Sequence, residues 1–205
     1  MKLDLKKYED LIKNKTPCIV QLKGGDLSES KITNSLILPG SFNPLHEGHI
    51  NLLKFSEKKF KQKGFFEISL SNVDKDEISY DEVRFRLNQF TELGNVIISN
   101  KATFIEKSSV YNYCKFVIGY DTAERVLDNY YYKDNIKKGL NLINKYKCSF
   151  IVAGRKLGKN FNTVEQLNIP KENLNMFQGL TEKDFRSDIS STQFREFQDK
   201  ALNDS

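Results

Sequence analysis

Apolar positions along the 205-residue chain fall into two rhythms that take turns. Short runs without internal alternation occur at residues 18–22, 36–38, 65–70, 96–98, 116–118 and 150–152, with a weaker one at 175–177, and these predict strands. Between them, apolar residues recur at helical spacing. Examples are Ile50, Leu53 and Phe60 within residues 50–63, Phe85, Phe90 and Leu93 within 81–93, and Ile136, Leu140 and Ile143 within 129–147. Strands apolar on both faces need covering on both, so the alternation predicts an α/β fold: a doubly wound parallel sheet with helices on both faces. Residues 1–34 precede this repeat and predict an added helix and strand, with Lys23-Gly24-Gly25-Asp26 as a turn. We expect them to be an extension packing on a main domain of residues 35–205.

Composition narrows the picture. Thirty-two Lys plus Arg against 27 Asp plus Glu leave a net charge of +5 spread along the chain, which suits an anionic small substrate. Nucleic-acid binding would need a basic stripe with interleaved aromatics; the nearest approach, at residues 130–138, is interrupted by Asp134 and flanked by Asp128. Cys18, Cys114 and Cys148 are few, odd in number and far apart, and they read as small buried hydrophobes in strands. No stretch approaches about 20 apolar residues, so no membrane span is expected. The expected setting is soluble, reducing and cytoplasmic, or nuclear if the source is eukaryotic.

The chemistry concentrates at Leu36-Ile37-Leu38-Pro39-Gly40-Ser41-Phe42-Asn43-Pro44-Leu45-His46-Glu47-Gly48-His49, which leaves a strand, turns and enters a helix. In an open parallel sheet, ligands bind at such a carboxyl end. Small Gly40 and Ser41 let backbone amides approach an anion, and the helix N-terminus adds its unpaired amides and dipole. His46 and His49, the only histidines in the chain, are three apart, so both rings can face one point. Zinc would need further ligands, and no third histidine or cysteine pair supplies them. We expect His49 to be a surface ligand-site residue whose loss leaves the fold's stability nearly unchanged. A second cluster, Ser190-Ser191-Thr192 with Arg195, sets three hydroxyls at a helix start one turn before a guanidinium. Alone it would read as an ordinary helix cap leading into a terminal helix at 193–201; paired with the first site it reads as a phosphate grip.

These residues resemble the HxGH nucleotidyltransferase superfamily, whose signatures are GxFxPxHxGH and ISSTxxR. The chain matches at Gly40, Phe42, Pro44, His46, Gly48 and His49, and again at Ile189, Ser190, Ser191, Thr192 and Arg195. Six specified residues coincide by chance with odds on the order of 10⁻⁸ per start position. Within the superfamily the chain is most similar to nicotinamide mononucleotide adenylyltransferases, with support from Ser71-Asn72-Val73-Asp74-Lys75, Gly119-Tyr120-Asp121-Thr122 and Ala153-Gly154-Arg155. The resemblance spans about residues 36–197 and implies a Rossmann-like sheet.

The activity it implies is attack of an acceptor phosphate on the α-phosphorus of ATP, with pyrophosphate leaving. By resemblance, His46, His49 and Arg195 are catalytic, and Gly40, Ser41 and Phe42 cradle the nucleotide. Ser190, Ser191 and Thr192 would hold the departing phosphates, and Gly119 and Asp121 would border ribose and base. Lys75 and Arg155 would meet phosphate. Mg²⁺ is expected on the phosphates, ligated mainly by substrate and water. The expected partners are therefore small molecules, ATP and a phosphorylated acceptor.

Three departures bear on the substrate. The chain has no tryptophan, so Tyr80, Tyr111, Tyr120, one of residues 130–132 or a phenylalanine would have to meet a nicotinamide ring. Arg186-Ser187-Asp188 before Ile189 departs from the cytidylyltransferase form of the second motif, which makes cytidylyl transfer the lesser alternative. Phosphopantetheine as acceptor is disfavoured because that family typically lacks the first histidine. A nucleotide-binding regulatory protein of the same fold is the other alternative, and intact histidines and hydroxyls argue against it.

Overall fold

In the computed structural model, the residues described are 3–71, 77–132, 135–158 and 160–186. Each predicted apolar run becomes a strand: β1 (Cys18–Gln21), β3 (Leu36–Pro39), β4 (Gly64–Ser69), β5 (Val96–Ser99), β6 (Lys115–Gly119) and β7 (Ser149–Ala153). The last strand, β10 (Phe177–Leu180), lies later than the 175–177 run, because a 3-10 helix occupies Lys171–Met176. Three strands were not anticipated: β2 (Leu27–Ser28), and the antiparallel hairpin of β8 (Arg155–Leu157) with β9 (Asn160–Asn162). Their residues are partly or fully exposed, so no apolar run marks them.

The main sheet has the order β10-β7-β6-β3-β4-β5-β1-β2. From β10 to β5 all neighbours are parallel. Beginning at β3, the chain winds outward through β4 and β5, then crosses to β6 on the other side of β3 and winds outward again. The expected doubly wound fold is present, and its order reverses between β3 and β6. There, chain segments leaving neighbouring strand ends diverge to opposite faces and open a crevice. The N-terminal residues extend this sheet: β1 runs antiparallel to β5, pairing Cys18 with Ser99, and β2 folds back along β1.

Helices cover both faces. α1 (Leu5–Ile12), α2 (Glu47–Phe60) and α3 (Tyr80–Asn88) pack on the cluster around Leu36, Leu38, Phe66, Ile68 and Ile98. The opposite cluster, around Ile37, Ile97, Phe116 and Phe150, is covered by α4 (Phe104–Val110), α5 (Tyr120–Val126) and α6 (Ile136–Lys145). α4 and α5 are only two turns long, too short to show a period. The helical rhythm at 129–147 resolves into a 3-10 turn at Asn129–Tyr132 and α6, whose N-cap Asn135 accepts from the Lys138 amide. α3 is turned differently from the expectation. Phe85 is 61% exposed, while Val83, Leu87 and Phe90 point inward, because a residue two positions from Leu87 lies on the opposite side of a helix. The three cysteines are buried and free as expected, but only Cys18 lies in a strand, Cys114 and Cys148 each standing one residue before β6 and β7; burial raises each thiol's pKa, that of Cys18 to about 11, so they stay protonated.

Phe90, fully buried, meets the rings of Phe42 at 5.3 Å and Phe66 at 5.1 Å, tying the end of α3 to the segment after β3. Phe90→Ala should destabilise the protein by about 3–5 kcal/mol. Urea denaturation followed by circular dichroism measures it; a loss below about 1 kcal/mol would show that the ring is not a keystone of this core.

Candidate active site

The segment after β3 reverses direction over its own strand. Phe42 has φ +45° and its ring is 1% exposed, edge-on to His49 at 5.0 Å and to Phe66 at 5.5 Å. A bulky residue at positive φ costs roughly 1–3 kcal/mol. Full burial of a phenylalanine contributes about 1.5–3 kcal/mol and each aromatic pair about 0.5–1.5 kcal/mol, so the turned conformation wins. Gly40 is the complement of that ring: a Cβ there would stand 2.8 Å from Phe42 ring carbons. α3 holds the loop from outside. Gln89 donates to Phe42 O at 2.9 Å and accepts from the Leu45 amide at 2.8 Å, and Arg86 donates to Ser41 O at 3.0 Å.

The turn delivers the two histidines to the start of α2. His46 is its N-cap, and its amide reaches His49 Nδ1 at 3.4 Å in a capping box. That bond leaves the His49 proton on Nε2. The imidazoles stack, with centroids 3.7 Å apart and planes inclined by 23°. His46 is only 8% exposed. Burial lowers both pKa values; for His49, burial followed by the neighbouring His46 brings it to about 4. At neutral pH the pair is uncharged and presents N–H donors without a fixed positive charge. The picture of His49 as a loose surface residue is therefore corrected: its ring is sandwiched between His46 and Phe42.

Beside the loop opens a cleft of about 830 Å³. Gly40, Ser41 and Asn43 line one end; Ser69, Ser71 and residues 77–79 follow the end of β4, and residues 102–105 lead into α4. Arg86, Thr122, Arg125, Tyr131 and Tyr132 complete it. His46 and His49 are not among the residues that line it.

The family model described as Cytidylyltransferase-like matches residues 37–197, more than three quarters of the chain. The chain belongs to that family. No curated protein matches it. Among solved structures it is similar to a Plasmodium falciparum nicotinic acid mononucleotide adenylyltransferase complexed with NaAD, at 19% identity and a TM-score of 0.45, over 82% of this chain and 84% of that chain.

In this cytidylyltransferase-like nucleotidyltransferase, the other residues singled out from the sequence fall in three groups. Gly40 and Ser41 line the cleft; Phe42, expected against the nucleotide, has its ring in the core and can offer a ligand only backbone. Gly119 and Asp121 lie at the end of β6, across the switch point from Gly40. A Cβ at Gly119 would touch nothing, so packing does not demand a glycine there. Asp121 forms an ion pair with Arg155, which begins the β8 hairpin. Lys75, Ser190, Ser191, Thr192 and Arg195 lie outside the described residues. The chain leading to the second motif is held on α2, where Lys59 binds Asp184 at 2.6 Å and, with Thr181, holds that carboxyl down at about 2. Of the aromatic candidates, Tyr111 and Tyr120 are buried, Tyr130 is 74% exposed, and Tyr131, Tyr132 and Phe104 line the cleft. Among the described residues, no group of three His, Cys, Asp or Glu could hold a metal, and no helix is long and apolar enough to cross a membrane.

The sequence reading missed the cleft's floor. Glu67, fully buried in β4, receives Lys107 Nζ on both carboxylate oxygens at 2.6 Å, the Ser99 hydroxyl at 2.7 Å and the Tyr111 hydroxyl at 3.3 Å. Its backbone carbonyl accepts from the Gly40 amide at 3.0 Å, so the charge network sits directly under the signature loop. A glutamate interrupting the run Phe65-Phe66-Glu67-Ile68 was the available signal. The loop carbonyls bound by Arg86 and Gln89 lie 45 and 47 residues away and the side-chain partners of Glu67 lie 32 to 44 away, so nothing local announces them.

Two outcomes follow from this geometry. Lys107→Met strands a buried carboxylate and should cost about 3–5 kcal/mol, whereas Glu67→Gln/Lys107→Met should recover much of it. A double-mutant cycle in urea reads the coupling, and additive losses would refute a working pair. For the histidines, the folded pKa values lie below the unfolded value near 6.5, so the unfolded chain binds more protons between there and about pH 4. Their contribution is complete above about pH 6.5 and is lost as pH falls toward 4, up to about 3 kcal/mol for His49. Melting temperatures from pH 7 to 4.5 should fall more steeply for the wild type than for His49→Asn; parallel curves would contradict the depressed pKa.

Proposed function

We propose that this protein is an ATP-dependent adenylyltransferase that acts on nicotinamide mononucleotide, releasing pyrophosphate and giving NAD. The observation that carries the reading is the stacked, uncharged His46–His49 pair at the start of α2, beside an 830 Å³ cleft at the sheet's switch point. The triphosphate would lie over Gly40, Ser41 and the N-terminus of α2, where amides and the helix dipole favour anions. Gly119, whose missing side chain leaves open space, would let ribose approach the end of β6. The acceptor would occupy the cleft, its ring against Phe104, Tyr131 or Tyr132 and its phosphate directed toward Ser41.

In the transfer, an acceptor phosphate oxygen forms a bond to the α-phosphorus as the bond to the bridging oxygen breaks and pyrophosphate departs. The protein's part is alignment and charge stabilisation. His49 offers an Nε2 proton to a phosphoryl oxygen. A polyanion beside the pair opposes the effect of burial and raises its affinity for a proton, so positive charge appears there only when substrate is in place. Arg195, Ser190, Ser191 and Thr192 belong to this reading as ligands of the leaving phosphates, with Lys75 on the acceptor or triphosphate side. Arg155 would reach phosphate only after releasing Asp121. Magnesium would be carried mainly by phosphates and water.

Incubation with ATP, Mg²⁺ and nicotinamide mononucleotide should release pyrophosphate and form NAD, both detected by mass spectrometry. His49→Ala should lower kcat by at least about a hundredfold and weaken ATP binding by less than about threefold. Equal losses in both would remove the transition-state role. ATP binding without transfer to any phosphorylated acceptor would point to a regulatory nucleotide-binding protein.

A further inference from the structure

Residues 3–34 lie outside the family match, yet their contacts end at the rim of the cleft. One wall of the cleft is Glu77, Ile78 and Ser79, leading into α3; another is Ala102, Thr103 and Phe104, leading into α4. α3 and α4 cover opposite faces of the sheet, and below the rim the walls join where the Leu70 amide donates to Ser99 O at 2.8 Å.

α1 joins them a second time. From its middle, Tyr8 Oη donates to Ile78 O at 2.7 Å, and the Tyr8 ring meets Tyr80 edge-on at 5.6 Å, while Tyr80 Oη donates to Leu3 O at 3.1 Å. From its far end, Ile12 O accepts from Asn100 Nδ2 at 2.9 Å, and Asn14 Oδ1 accepts from Lys101 Nζ at 2.6 Å. Asn100 also binds the Ser71 hydroxyl, and Lys101 O accepts from Ser69 Oγ at 2.6 Å; both serines line the cleft. Leu11, fully buried, fixes the helix to the core, and the pairing of Cys18 with Ser99 places its exit at the cleft's end of the sheet.

We infer that the N-terminal helix is a positioning brace: it fixes the separation of the two cleft walls and so sets affinity for the second substrate. This rests on the proposed reading that the cleft takes the phosphorylated acceptor. Without the brace, residues 77–79 and 102–103, which precede α3 and α4 outside regular structure, are held less firmly, and binding must then order them. None of the contacts of α1 with these walls involves the loop after β3, so the triphosphate side should not feel the change.

Tyr8→Phe removes one hydroxyl and keeps the ring contact; Asn100→Asp keeps the oxygen facing Ser71 and removes the donor to Ile12. In Tyr8→Phe/Asn100→Asp, hydrogen exchange should quicken at residues 77–80 and 102–106 and stay unchanged in β3, β6 and β7. The KM for nicotinamide mononucleotide should rise about tenfold, equivalent to about 1.4 kcal/mol, with kcat and the KM for ATP within about twofold. Unchanged exchange at both walls overturns the brace, as does quickened exchange with no rise in the acceptor KM, or equal rises for both substrates. Exchange needs no substrate. If nicotinamide mononucleotide proves not to be the acceptor, selective loss of protection at the two walls supports the brace and its absence refutes it.

Discussion

The site depends on the burial of one ring. Phe42 is driven into the core with its backbone at positive φ, and this turns the chain leaving β3 back over the strand end. Gly40 must then lack a side chain, Gln89 and Arg86 find the loop's carbonyls within reach, and α2 starts with His49 resting on the ring's edge. A hydrophobic contact thus sets the position of the polar groups around it. Its strength comes from apolar area and three aromatic edges, so it is insensitive to salt and to the charge of whatever binds above it.

Around this loop the charges are disposed unequally. Under it, Glu67 and Lys107 are buried, a costly arrangement that holds because they pair with each other and Ser99 also donates to Glu67. At the helix start the histidines are kept neutral by burial and stacking. A polyanion arriving there would meet amides, a helix dipole and two imidazoles able to gain charge. On the proposed reading, the paired floor and the uncharged histidines would make a site whose electrostatics change on binding.

Much of the architecture was legible because it follows from local periodicity. Runs such as Ile37 to Leu38 and Phe150 to Val152 are apolar on consecutive residues, which only a doubly covered strand tolerates, and their alternation with helices left few topologies. The failures are equally local in cause. α4 and α5 are too short to show a rhythm, β8 and β9 are exposed and carry no apolar run, and Phe85 was assigned inward by its chemistry although Val83, Leu87 and Phe90 define the buried side. Of the site, the signature around His46 and His49 was readable as a family resemblance, and their spacing allowed both rings to face one point, although His46, the N-cap, stands just outside the helix.

From the order of residues one could know the fold class and the family signature, because each rests on patterns within a few positions along the chain. The folded molecule alone revealed that the two rings stack face to face, that the Phe42 ring is buried in the core, that Asp121 is held by Arg155, and that Glu67 and Lys107 form the floor. It also showed an N-terminal helix reaching both walls of the cleft. Those facts belong to side chains tens of residues apart. Packing and hydrogen bonding bring them together only once the sheet has assembled, and no spacing in the chain encodes that meeting.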